Sequence, residues 1–91
     1  MENRDIDRHI GRFIIHMDMI ESQPEIVRKI MSKMIITDAR SMYHSQCIEY
    51  VAISERLFDY VRLDERVPEY KIICERSGDY VKIYTEKEVN D

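Results

Sequence analysis

Ile6-Asp7-Arg8-His9-Ile10-Gly11-Arg12-Phe13-Ile14-Ile15-His16-Met17-Asp18-Met19-Ile20 is the stretch on which the fold turns. At about 100° per residue, Ile6, Ile10, Phe13, Ile14, Met17 and Ile20 fall on one stripe, which predicts an amphipathic first helix. Ile15 and Met19 then lie nearly opposite that stripe, one turn apart, between Arg8 and Arg12. Single exposed apolar residues are ordinary. A stacked pair is a candidate contact surface, and it predicts self-association through this helix.

Working outward, Ser22-Gln23-Pro24-Glu25 has the spacing of a capping box, with proline in the first turn where its missing N–H costs nothing. A second helix follows, turning Ile26 or Val27, Ile30, Met31 and Met34 toward a core. Near Met34 the period changes to two. Ile35, Thr37, Ala39, Ser41 and Tyr43 share one face of a strand, with Ile36, Asp38, Arg40 and Met42 on the other. A helix continuing through Ala39 to Tyr43 is the alternative. His44-Ser45-Gln46 reads as a turn, and Cys47 to Ile53 is rich in β formers.

Glu55 to Pro68 is an irregular, charged connection, anchored by Leu57, Phe58, Val61, Leu63 and Val67. Glu69 to Glu75 and Tyr80 to Thr85 form a second hairpin around Arg76-Ser77-Gly78-Asp79, where glycine supplies a positive φ. The polar tail 86–91 is expected to fray. The fold class is therefore α+β: two N-terminal helices packed on an antiparallel sheet of two β-hairpins, in one domain spanning residues 1–91.

The chain has 91 residues, enough for one modest core. Its 18 acidic and 14 basic side chains are interspersed, so the net charge of −4 provides no basic stripe for gripping phosphates. The N-terminus is polar, without a signal-type apolar stretch, and no run approaches the about 20 residues of a membrane span. A cytoplasmic protein with both cysteines, Cys47 and Cys74, as free and partly buried thiols is expected.

Chemistry-bearing constellations are sparse. Only Gly11 and Gly78 are glycines, so there is no phosphate-cradling loop. His9 and His16, seven apart, would need His44 or a cysteine to complete a metal set. His44 and Cys47 could form a thiol–imidazole pair, but nothing orients them. Local hydrogen bonding and buried thiols are the simpler readings. Asp59, Asp64, Glu65 and Glu69 stand beside Arg56, Arg62 and Arg66, as on a solvated surface or the rim of an interface. Tyrosine offers large contact area with a polar tip, which suits interface hot spots as well as cross-strand packing.

Ile48-Glu49-Tyr50-Val51-Ala52-Ile53-Ser54, followed by Phe58 and Val67-Pro68-Glu69-Tyr70, resembles small uncharacterised proteins encoded by phages and prophages. The resemblance covers about a third of the chain and names no activity. It implies a bacterial host cytoplasm and stoichiometric action on a host protein, such as a defence nuclease complex.

Together these readings lead to a non-enzymatic protein-interaction domain, an inhibitor or modulator of a host assembly, with no cofactor or metal and a homo-oligomeric state. The expected contact residues are Ile15, Met19, Tyr70, Tyr80 and Tyr84. The first alternative is a nucleic-acid-binding regulator using Arg4, Arg8 and Arg12 as a basic edge. The second is a small enzyme or metal protein built on His16, His44 and Cys47.

Overall fold

Phe13, Ile14 and Ile15 are consecutive, and a run of apolar residues satisfies helical and strand patterns alike. Tertiary pairing decides between them. In the computed structural model, which describes residues 8–62 and 64–88, Ile10–His16 is strand β1 and not the expected helix. It pairs antiparallel with β3 (Cys47–Ile53), from Ile10 opposite Ile53 to His16 opposite Cys47. Gly11 fits this assignment: a Cβ there would lie 2.5 Å from Cδ1 of Phe58 and 2.8 Å from Cδ1 of Tyr70. Its bare backbone lets two aromatic rings lie against the strand. Ile6, Asp5 and Arg4 lie outside the described residues, as do Leu63 and residues 89–91.

The helices are short. α1 (Met17–Ser22) continues directly from β1, and α2 (Pro24–Met31) follows after Gln23. The capping box does not form. Ser22 still belongs to α1, so its hydroxyl donates back to the Asp18 carbonyl at 2.7 Å, and Gln23 caps α2 without a side-chain bond. Pro24 does open α2, and the helix buries Ile26 and Ile30 as its apolar stripe requires.

β2 (Ile35–Met42) forms the expected hairpin with β3, which removes the helical alternative for Ala39 to Tyr43. Its turn ends on Gln46, at φ 54°. A bulge at Thr37 interrupts the register between Ile36 and Asp38, and the Thr37 hydroxyl donates to the Val51 carbonyl at 3.0 Å. The sheet order is β1-β3-β2. The second sheet is the hairpin of β4 (Tyr70–Ser77) and β5 (Tyr80–Lys87), turned at Gly78 with φ 63°. Thus the α+β class holds, with five strands in two antiparallel sheets, where a single sheet of two hairpins was expected.

Phe13, Ile15, Ala52, Ile26, Ile30, Phe58, Tyr70 and Ile83 form the core between the sheets and the helices. Rings link its parts: Phe13 stacks on Tyr50 at 5.4 Å, and Phe58 meets Tyr70 at 4.9 Å. Phe58 and Val61 anchor the long connection as the sequence predicts. Ser54 ties it down, donating to the Lys33 carbonyl at 3.0 Å and accepting the Leu57 N–H at 3.3 Å.

Candidate functional site

β1 is bridged at Arg12 to the residues that lead into β4. The Arg12 N–H donates to the Pro68 carbonyl at 3.0 Å, and Arg12 and Glu69 form a parallel bridge. N–H groups alternate in direction along a strand, so Ile14, two residues on, aims its N–H to the same side. Beyond Arg12, however, β1 pairs among the described residues with β3 alone. Residues of both β1 and β4 line a cleft of about 520 Å³ there. Ile14, Met19, Met42 and Ile72 give it apolar walls, and His16, Glu69, Lys71 and Glu88 supply polar groups around them.

This cleft redistributes the residues singled out in the sequence. Ile15 is 2% exposed and Tyr70 5%, so both are core residues and the contact face expected on a first helix is not assembled. Their burial follows from β1 being a strand, which turns Phe13 and Ile15 together toward the core. The Tyr70 hydroxyl accepts the Asp59 N–H at 2.9 Å, an internal bond. Met19 packs on the core margin and also lines the cleft. Tyr80 is 65% exposed at the tip of the β4–β5 hairpin. Tyr84, on the outer face of that hairpin, donates to Glu75 Oε2 at 2.7 Å, with the Lys82 ammonium 5.6 Å from its ring centre. The Glu75 bond, then partial burial and the nearby carboxylates, push the Tyr84 hydroxyl above its usual pKa.

Of the basic edge, Arg8 and Arg12 are both engaged within the fold. Arg8 donates its Nε–H to the Val61 carbonyl at 2.9 Å, and Arg12 Nε lies 3.7 Å from Glu49. Glu49 is shared, for Arg40 donates to its Oε1 at 2.9 Å. Arg4 lies outside the described residues.

Of the histidine and cysteine set, the structure brings together His16 and Cys47, cross-strand partners at the cleft. His44 is exposed on the turn, and the His9 ring lies 3.0 Å from the Phe58 carbonyl and edge-on to Tyr60. Among the described residues no three His, Cys, Asp or Glu side chains converge as a metal set would. Both cysteines are free, Cys47 buried and Cys74 half-buried, and desolvation raises the Cys74 pKa. Among the described residues no helix is long and apolar enough to cross a membrane.

Compared with protein-family models, curated proteins and solved structures, the chain matches none. The site therefore stands on its geometry alone. Sequence reading missed the cleft because its defining feature is a strand edge, and backbone groups leave no residue signature.

Proposed function

We propose that the protein is a non-enzymatic protein-interaction domain that takes an extended segment of a partner protein into the cleft between β1 and β4. The observation that carries this reading is that, among the described residues, no strand pairing continues past the Arg12–Glu69 bridge, where residues of both strands line the cleft. A strand edge offers unsatisfied donors and acceptors at regular intervals, and an added strand satisfies them while alternate side chains settle on apolar walls. Ile14 and Ile72 would receive those side chains, and Lys71 and Glu69 would meet polar groups beside them. The resemblance to phage-encoded proteins adds the finer reading, that the partner belongs to a host assembly which the domain inhibits or modulates.

The test is capture from a bacterial lysate on immobilised protein, with the bound fraction identified by mass spectrometry. A stoichiometric partner held by the wild type and lost by Ile14→Arg supports the reading. An empty column, or capture indifferent to Ile14→Arg while circular dichroism shows that variant folded, overturns it.

A further inference from the structure

Among the described residues β2 is the outer edge of the three-stranded sheet, and all its residues but Ile36 and Met42 are exposed. The direction of its backbone can be read across the sheet. The Arg12 N–H is turned away from β3 toward Pro68. By alternation Phe13 bonds with Tyr50 opposite it, so the odd residues of β3 face β2. Arg40 and Glu49 are then a hydrogen-bonded pair, and the N–H and C=O of Ala39 and Ser41 point outward into solvent.

We propose that β2 pairs antiparallel with β2 of a second copy of this chain, in a register centred on Ala39, giving a two-fold dimer with a continuous six-stranded sheet. Charge selects the register. With Ala39 opposite Ala39, Asp38 of each copy faces Arg40 of the other, and the two Ala39 residues exchange backbone bonds. Asp38 and Arg40 fall in the narrow, non-hydrogen-bonded pairs, where Cα atoms approach to about 4.5 Å. Centring on Asp38 or on Arg40 instead would place like charges directly opposite, which is destabilising.

The existing sheet prepares this pairing. Ile14, Glu49 and Arg40 lie side by side across its outer face, and Arg12 and Arg40 flank Glu49. Asp38 of a second copy would extend the alternation of charge by one strand. Within its own sheet, Asp38 has Val51 as its neighbour, not a cation.

Charges and bulges commonly guard an edge against pairing. Here the bulge at Thr37 leaves Asp38 to Met42 regular, so that Asp38 to Arg40 is regular on both strands of the two-fold pair. Opposite charges two residues apart leave one self-complementary register open while closing its neighbours. A contact of this length belongs to the size class below about 1,200 Å², typical of weak and transient association. The dimer should therefore depend on concentration. Asp38, Ala39 and Arg40 do not line the cleft, to which β2 contributes Met42.

Sedimentation equilibrium across a wide concentration range tests the proposal, with circular dichroism confirming that each variant is folded. The wild type should rise from 11.0 kDa toward twice that mass. Asp38→Lys and Arg40→Glu should each raise the dimer dissociation constant by about tenfold or more, since two attractions become two repulsions. An equimolar mixture of these variants restores opposite charges and should recover the dimer. Ala39→Pro removes an outward N–H without touching the β2–β3 ladder, and should also yield a monomer. A wild type that stays at 11.0 kDa throughout, variants that associate as the wild type does, or a mixture that fails to recover would overturn the proposal.

Discussion

β1 and β2 flank the same central strand, and they end the sheet in opposite ways. β1 sends Phe13 and Ile15 into the core, leans Gly11 against two aromatic rings, and is closed at Arg12 by Pro68 and Glu69 before opening into the cleft. β2 buries no side chain fully and ends the sheet on alternating charge. One edge is thus made by tertiary packing and the other by its own surface chemistry. The difference separates stability from association: substitutions on the first edge should cost folding free energy, and those on the second should cost contacts between molecules.

The largest effect is expected at Ile15. Were β1 a helix, Ile15→Glu would leave the fold intact; buried in the core, Ile15 should tolerate no charge, and even Ile15→Ala should cost about 2–5 kcal/mol in urea denaturation. Gly11→Ala comes next. The added methyl meets Phe58 and Tyr70 well inside contact distance, and overpacking of this kind costs about 1–3 kcal/mol by the same measurement. Tyr70→Phe keeps the ring but leaves the Asp59 N–H without its acceptor, for a loss of about 1–2 kcal/mol.

Across the sheet the contrast should be sharp. Asp38→Asn in dilute protein should move stability by no more than about 0.5 kcal/mol, because the side chain is exposed. A loss as large as that at Gly11 would erase the distinction between the edges. The smallest effect concerns alkaline stability. The folded chain raises the Tyr84 pKa above its ordinary 10.0, chiefly through the Glu75 bond, and therefore favours the neutral phenol. That contribution is complete below the unfolded value and is lost as pH climbs through the folded one. Tyr84→Phe should soften alkaline unfolding in a pH titration followed by circular dichroism. Tyr50, raised by burial, should preserve some of the slope.

Much of the C-terminal half was legible because local chemistry and tertiary structure agree there. Gly78 marks a turn that the hairpin uses, and Cys47 to Ile53 forms a strand in either context. The N-terminal stretch was not legible because Phe13-Ile14-Ile15 satisfies both periods, and only pairing with β3 decides between them. Gly11 was the available signal, since glycine inside a helix costs about 1 kcal/mol relative to alanine. Of the expected contact residues, Ile15 and Tyr70 lie in the core, whereas Tyr80 lies in the open. The cleft had no sequence signature beyond its apolar walls. By contrast, the opposed charges of Asp38 and Arg40 are plain in the sequence, but they acquire meaning only once β2 is known to be an edge.

Residue-resolved amide hydrogen exchange at Arg12 and Ile14 tests the central claim, that β1 is a strand whose outer edge is closed at one point and open beyond it. Slow exchange is expected at Arg12, bonded to the Pro68 carbonyl, and fast exchange at Ile14, two residues on along the same edge. Equal protection at both would contradict it, since either a helix or a fully paired edge protects the two amides alike.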